Sequence, residues 1–441
     1  MGKKRIIIGI CISLVIVLLL LVLIWSLNEN YKRIAGTRVV ERHLFENQQF
    51  LTADIVYYTL YGQYLNVNIV VPSLCDSNSL QSATLLLLSE QEIVEYPLAF
   101  KESPLGTLFY ISGQINQGIF LDNLNEGRYE MVLKVEESAP ENKIEEYYFV
   151  LSNQTEYPSL EYYTVTDLEG KNRKIEIGVQ KLLNPMNETM ALEVEQAKLP
   201  EDVYDIVIDP GHGGADVGAS GYGYNEADLT LQISLLLRDQ LEEKGFKVKL
   251  TREEDVRLDT YGENGRYVMA NELNAKFQLS IHLNSSSSSL VEGVEIYSPP
   301  NASLTFSENL VATLQELTDA TTSPNRTSMV LPGVYVRNFT LQDIIDSNEM
   351  AQESGYLPYD IDTSTAYYGI IRESGGICTG AYVDGRNKDY GANAYWDQNK
   401  GVETYLLELG YITSSSEIRQ IRIQMQSYIE AIATSTAEYL R

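Results

Sequence analysis

The sequence predicts an α/β domain over residues 203–441, with a twisted, largely parallel sheet flanked by helices. An all-β immunoglobulin-like domain and an N-terminal transmembrane helix are predicted to precede it. Three observations lead there: an uncharged apolar run at the start of the chain, a middle stretch of short β-branched and aromatic runs between turn-rich gaps, and a C-terminal half in which such runs alternate with helical spacing. At 441 residues and 44% hydrophobic, the chain has enough apolar surface for two cores. With 33 basic against 61 acidic residues, a formal net charge of -28 repels phosphates and argues against general nucleic-acid binding. Cys11, Cys75 and Cys378 lie far apart and imply neither a disulfide framework nor a cysteine-based metal site.

Residues 1–28 read as a cytoplasmic tip and membrane anchor. The stretch 6–27 carries no charge, and as a helix it would span roughly 33 Å against a hydrocarbon thickness of about 30 Å. A cleaved signal peptide would have a shorter apolar region followed by a small-x-small site, whereas Trp25 leads here into a polar segment. Lys3, Lys4 and Arg5 should stay inside. The expected localisation is therefore a single-pass membrane protein, held by one N-terminal helix, with its folded domains outside the cell.

Residues 29–45 form an expected polar stalk, with His43 solvated within it. From 46 to 155, runs such as 63–71, 82–89, 128–137 and 145–152 read as strands of a β-sandwich. The segment 121–135 resembles the immunoglobulin-like pattern in which a tyrosine at a strand start bonds back to upstream backbone. Tyr129 is then either such a corner or an ordinary strand aromatic. Residues 156–202 are expected as an extended connection.

In the C-terminal half, 203–211 should be a strand and 225–245 an amphipathic helix, with Leu229, Ile233, Leu236, Leu237 and Leu241 at helical spacing and Gly245 closing it. Strands are expected at 246–252, 277–285, 293–299 and 403–412, and helices ending near 274, over 307–318 and after Ser414, which with Glu417 has the spacing of a capping box. Sites in such sheets form beyond the carboxyl ends of the strands.

Polar residues stand at three of those strand ends: His212, His282 and Glu408. A strand buried on both faces should be apolar, so such side chains must be paired, hydrogen-bonded or bound to a metal. Singly, each is explained by a satisfied core histidine or a salt-bridge partner. Together with Glu226 in the first turn of the helix after His212, they suggest one cleft. Two histidines and a carboxylate form a hydrolytic zinc ligand set, which leaves one tetrahedral position open. Such a site also needs a base that does not bind the metal. Glu408 suits that role better than Glu403, which strand alternation puts on the opposite face and near a loop, where solvation is expected.

The pieces at 206–214, 225–231, 250–271, 279–285 and 405–417 occur in the order found in zinc-dependent N-acetylmuramoyl-L-alanine amidases, and residues 203–441 resemble that family. The resemblance implies that His212, Glu226 and His282 hold one zinc ion and that Glu408 is the catalytic carboxylate. The implied substrate is bacterial peptidoglycan, cut between the lactyl group of N-acetylmuramic acid and the first alanine of the stem peptide. A protein activator, or a partner in division or sporulation, is a further expectation. Arg252 and Arg266 match family positions, with Asp255 nearby, and would either fix loops around the site or touch substrate. Asn284 would supply an orienting hydrogen bond or a substrate contact.

The sequence departs from the family in an insertion at about 319–402. Within it, 341–354 reads as an acidic helix and 365–376 as a strand. Its place just before the Glu408 strand suggests that it walls the cleft, binding glycan or stem peptide, or plugs the metal. The alternative function is a catalytically silent or regulated membrane-anchored scaffold that binds cell wall. A zinc peptidase lacks support because the motif of two histidines four residues apart, with an intervening glutamate, is absent.

Overall fold

Alternation of apolar and polar residues makes the N-terminal half a set of antiparallel strands in the computed structural model, which describes residues 51–71, 79–152, 158–164, 172–181, 188–355, 358–381 and 393–441. The strands are β1 (Leu51–Tyr61), β2 (Tyr64–Val71), β3 (Leu80–Leu88), β4 (Ile93–Pro97), β5 (Ala99–Ser103), β6 (Gly106–Tyr110), β7 (Ile119–Phe120), β8 (Gly127–Ala139), β9 (Lys143–Ser152), β10 (Leu160–Thr164), β11 (Arg173–Lys181) and β12 (Glu188–Gln196). All are hydrogen-bonded into one continuous sheet, in the order β10-β11-β12-β8-β9-β1-β2-β6-β5, with β3 joining β8 to β4 and β7 on β2.

That connectivity corrects the expected immunoglobulin-like arrangement, which needs two separate sheets facing each other. The local expectation at Tyr129 is met in part. Its ring is buried and its hydroxyl donates to the Asn125 carbonyl at 3.1 Å. Residues 160–196 do not simply connect two domains, because β12 pairs with the start of β8, with Leu192 opposite Tyr129.

The expected single-pass membrane localisation is also corrected. Among the described residues, no helix is long and apolar enough to cross a membrane. The segment 6–27, on which that expectation rested, lies outside the described residues, as do His43, Cys11 and Cys75.

The C-terminal half follows the predicted alternation. It contains β13 (Ile206–Pro210), the short β14 (Ser220–Gly221) and β15 (Tyr224–Asn225), α1 (Glu226–Glu243), β16 (Val248–Leu250), α2 (Met269–Glu272), β17 (Phe277–Asn284), β18 (Glu295–Tyr297) and α3 (Thr305–Leu317). Next come β19 (Met329–Leu331), β20 (Val334–Tyr335), α4 (Leu341–Glu353), α5 (Gly369–Ser374), β21 (Lys400–Gly401), β22 (Glu403–Tyr411), α6 (Ser415–Ile423) and α7 (Met425–Tyr439). The second sheet has the order β16-β13-β17-β22-β18-β20-β19. Its first four strands are parallel; β18 runs antiparallel to β22.

One face of that sheet packs Ile206, Leu279 and Leu407 against Leu229, Ile233 and Leu237 of α1, Phe306 and Leu310 of α3, and Ile429 and Ile432 of α7. The other face carries Leu406 and Tyr297 against Ile370 and Ile371. Those isoleucines belong to α5, so the strand expected over 365–376 is corrected to a short helix. Two adjacent apolar residues in so short a run do not distinguish the two periodicities, and packing on Leu406 decides. The expected acidic helix is present as α4, closed by a reciprocal capping box between Thr340 and Asp343.

Residues 52–441 form one compact unit, and the two sheets are fastened together at several places. Strand β21 pairs in parallel with β1, Tyr61 opposite Gly401, immediately before β22 begins. The buried Lys276 ammonium lies 3.1 Å from Asp122 of the first sheet's side and 3.3 Å from Asp205 before β13. Glu403 is not solvated as expected. It is 1% exposed, and its Oε1 accepts hydrogen bonds from Asn116 at 2.7 Å, Tyr405 at 2.6 Å and Tyr439 at 2.7 Å. Burial pushes the Glu403 carboxyl above its ordinary range, opposed by these three donors.

Glu403→Ala would take the acceptor from the Tyr405 and Tyr439 hydroxyls and one acceptor from Asn116 Nδ2. The variant should lose at least about 2 kcal/mol of stability, whereas Glu403→Gln, which keeps an acceptor oxygen, should lose less. Urea unfolding followed by circular dichroism measures both.

Candidate active site

The fully buried β13 carries the chain to Pro210, and the turn that follows brings backbone close to side chains from two other elements. A Cβ on Gly211 would stand 2.5 Å from Cε1 of His282, so only glycine lets the imidazole lie against this backbone. A Cβ on Gly218 would stand 2.6 Å from His212 Cδ2 and 2.7 Å from Glu226 Oε2. His212 itself has a φ of 60°, a left-handed conformation that costs a non-glycine residue energy and recurs at functional sites.

Glu226 begins α1, and His282 stands near the end of β17. Both converge with His212 at the carboxyl end of the parallel strands. Glu226 Oε1 lies 3.2 Å from His212 Nε2 and 3.0 Å from His282 Nδ1, and the imidazole centroids are 5.1 Å apart. One ligand atom from each of the three side chains lies within 4.8 Å of the others. Donors about 2.0–2.1 Å from a tetrahedral zinc would stand about 3.3 Å apart, so the two histidine-to-glutamate separations fit such an ion. The neutral nitrogens and carboxylate oxygen are also the donor types zinc takes.

Hydrogen bonds fix this group. Glu226 Oε1 also accepts from the Leu283 backbone N–H at 3.0 Å, and Oε2 from Ala219 N–H at 2.9 Å. Burial alone would raise the Glu226 carboxyl, but hydrogen bonds from His212 and His282, the charge of His282 and the Leu283 N–H hold it well below its ordinary range. The Glu226 hydrogen bond raises the His212 imidazole above 6.5 against the opposing effect of burial, with Asp216 adding to the rise. His212 Nδ1 and Asp216 Oδ1 are 3.0 Å apart. Asp216 thus sets the ring orientation, leaving Nε2 toward Glu226.

Glu408 pairs in register with His282 across β17 and β22, and with Glu295 across β22 and β18. It is partly exposed, while its Oε2 is buried and has no hydrogen-bond partner among the described residues. Its deep position raises the carboxyl well above 4.5, and the charges of Glu226 and Glu295 raise it further. Glu295 is fully buried and accepts hydrogen bonds at 2.6 Å from both Tyr297 and Tyr411.

The arginines reach backbone carbonyls of the same turn. Arg252 donates to Pro210 O at 3.1 Å, Gly211 O at 2.9 Å and Ala227 O at 2.8 Å. Arg266 reaches Pro210 O at 3.1 Å and the His212 carbonyl, and its Nε stands 3.0 Å from Asp209. Asp255 accepts from Gly214 N–H at 2.7 Å. Asn284 is not part of the three-residue cluster; its side-chain oxygen accepts from Ser285 N–H at 2.7 Å.

Sequence reading did not single out Asp216, Asp209 or Glu295. Asp216, four residues after His212 in a glycine-rich loop, was the most recoverable. Asp209 and Glu295 sit within strands and carry a clear signal only as acidic residues in apolar runs. The inserted segment contributes no carboxylate of α4 to the cluster. Its Tyr368, at the start of α5, is acted on by the charge of Glu408.

The sequence model described as N-acetylmuramoyl-L-alanine amidase matches residues 206–441. The sporulation-specific N-acetylmuramoyl-L-alanine amidase of Bacillus subtilis is 32% identical over 161 residues, 34% of this chain and 61% of that protein. The germination-specific N-acetylmuramoyl-L-alanine amidase of the same organism is 37% identical over 103 residues, 21% of this chain and 44% of that protein. This chain therefore spans less than two thirds of the length of either relative. Among solved structures, the catalytic domain of the amidase CwlV from Bacillus (Paenibacillus) polymyxa var. colistinus is 24% identical, covering 54% of this chain and 98% of that one with a TM-score of 0.36. The amidase AmiC2 of Nostoc punctiforme is also 24% identical, covering 54% and 97%, with a TM-score of 0.35.

In metal-free protein, the raised His212 contributes stability that is complete below its unfolded value of 6.5 and is lost as pH rises through its folded value. The depressed Glu226 contributes stability that is complete above 4.5 and is lost as pH falls toward its folded value. The pair should therefore stabilise metal-free protein most between pH 4.5 and 6.5. Glu226→Gln should bring the His212 titration, followed by imidazole NMR, down toward 6.5.

Proposed function

This chain belongs to the N-acetylmuramoyl-L-alanine amidase family, and from that premise we propose that it is a zinc hydrolase cutting the amide bond between N-acetylmuramic acid and L-alanine in bacterial peptidoglycan. The observation that carries the reading is the meeting of His212, Glu226 and His282 within 4.8 Å at the strand ends, with Glu408 in register beside His282. Two imidazoles and one carboxylate leave a tetrahedral position for a reacting oxygen.

His212, Glu226 and His282 would hold the metal. Zinc in that position would supply Lewis acidity toward the attacking water and the scissile carbonyl. The remaining work falls to the chain's own groups. Asp216 orients His212 through Nδ1, and the Leu283 and Ala219 backbone N–H groups donate to Glu226 and favour its carboxylate form. Arg252 and Arg266 hold the carbonyls of Pro210, Gly211 and His212, keeping the strained turn in place.

One oxygen of Glu408, a partly exposed side chain in register with His282, takes a proton from water as it adds to the carbonyl carbon. The same oxygen returns that proton to the alanine nitrogen as the carbon–nitrogen bond breaks, which leaves a lactyl carboxylate and a peptide with a free amino-terminal alanine. A carboxyl raised above its ordinary range by depth and by neighbouring carboxylates suits both steps near neutral pH.

Purified protein incubated with muropeptides should release stem peptides that begin with free L-alanine, and a chelator should abolish release. Glu408→Gln should retain bound metal while slowing hydrolysis about 10²- to 10⁴-fold. His282→Ala should lose the metal itself. Undiminished cleavage in chelator, or new termini inside the stem peptide, would contradict the reading.

A further inference from the structure

The inserted segment, whose α5 packs on Leu406 two residues before Glu408, presents Arg337 in a setting built to hold it still. Residues 337–339 run against 365–367 through an isolated antiparallel bridge between Asn338 and Ala366. Tyr367 N–H donates to Arg337 O at 2.9 Å, and Phe339 N–H to Thr365 O at 3.0 Å. The Arg337 guanidinium lies over the Tyr367 ring, with Cζ 3.7 Å from the centroid. A guanidinium that lies over a ring with its flat face keeps its N–H edge, the part that matches a carboxylate, for other partners.

Contacts run from there to the reaction centre. Tyr367 meets Tyr368 edge to face at 5.6 Å, and Tyr368 packs on Tyr297 at 4.6 Å. Tyr297 donates to Glu295, which faces Glu408 across the strand pair. Burial is the largest influence raising the Tyr368 hydroxyl, a hydrogen bond with Tyr297 opposes it, and the charges of Glu408 and Arg337 both act on it. Three tyrosine rings and Glu295 thus link Arg337 to Glu408.

Arg337 keeps a side-chain exposure of 30%. The carboxylate paired with it among the described residues, Asp343 at the α4 N-terminus, stands 3.8 Å away, beyond hydrogen-bond length. Asp343 accepts through Oδ2 from the Thr340 backbone N–H at 2.9 Å and the Thr340 hydroxyl at 2.7 Å, and its Oδ1 is the oxygen that faces Arg337. A stacked, partly exposed arginine with a long ion pair offers its N–H groups to an external anion. In a chain of net charge -28, with Glu226, Glu295 and Glu408 gathered at the site, an anionic substrate also needs a local cation to approach.

We propose that Arg337, stacked on Tyr367, binds a carboxylate of the stem peptide beside the scissile amide and so sets preference among peptidoglycan substrates. The proposal rests on the amidase reading above. It assigns the inserted segment a positive role in recognition: Arg337 binds the substrate carboxylate, while Tyr367 positions the guanidinium.

The test uses the full-length protein and two N-acetylmuramoyl peptides that differ only at the second residue, one with a free α-carboxylate and one with the corresponding carboxamide. Wild type should prefer the carboxylate form by about 10- to 100-fold in kcat/KM, the range for one charge-assisted hydrogen-bond pair. Arg337→Ala should erase that preference by raising KM for the carboxylate form while kcat stays within about twofold, and leave the carboxamide form unaffected. Arg337→Lys should keep part of the preference, because charge survives while the planar fork is lost. An active wild type without carboxylate preference, or an Arg337→Ala variant that retains it, overturns this proposal alone. A wild type that cleaves neither peptide overturns the amidase reading and this proposal with it.

Discussion

The Glu226 carboxylate is the constraint on which the site depends. It is 3% exposed at the start of a helix, and a buried carboxylate is costly unless donors surround it. Both imidazoles, the Leu283 N–H and the Ala219 N–H supply them. Satisfying that one group therefore draws the turn after β13, the end of β17 and the loop before α1 to a single point. The glycines follow from the same requirement. At 211 and 218 there is no room for a Cβ, because ring atoms or a carboxylate oxygen already stand within 2.8 Å of where it would be. The second layer then holds the turn. Asp209 accepts from Thr251 and Ser280 at 2.7 Å each while facing Arg266, and Arg266 and Arg252 bind the carbonyls that precede and include His212.

The N-terminal sheet belongs to the same physical unit. Strand β22 carries Glu408 near one end, and its beginning is gripped by the other sheet. Gly401 lies beside Tyr61, Glu403 is held by Asn116, and Lys276, which precedes β17, is held by Asp122. Both strands that bear site residues from the sheet centre, β17 and β22, are thus anchored at their starts by groups from the N-terminal half. The strands transmit that placement to His282 and Glu408, five residues farther along each.

Much of this was legible in the sequence because it depends on local pattern. The apolar run at 206–208 broken by Asp209, the helical spacing from Leu229 to Leu241 and the apolar run around His282 each report burial directly. Parity puts Glu408 and Glu403 on opposite faces of β22: Glu408 lies in register with His282, and Glu403 accepts from Tyr439. What parity could not report is contact between distant segments. Glu403 read as a solvated loop residue because Asn116 is 287 positions away. Residues 365–376 read as a strand because packing of Ile370 and Ile371 on Leu406, not their spacing, makes the helix. Two-sheet and one-sheet β domains have the same alternation, so the connectivity through β8 was invisible until the pairing was known.

The central claim is that one divalent ion is shared by His212, Glu226 and His282. Zinc-edge X-ray absorption on protein saturated with the metal and freed of excess tests it most directly. The account predicts one zinc per chain in a shell containing two imidazole nitrogens and carboxylate oxygen, with both imidazole contributions weakened together when Glu226 is replaced by glutamine. A chain that retains no zinc, or a shell that contains sulfur or lacks imidazole, would contradict it.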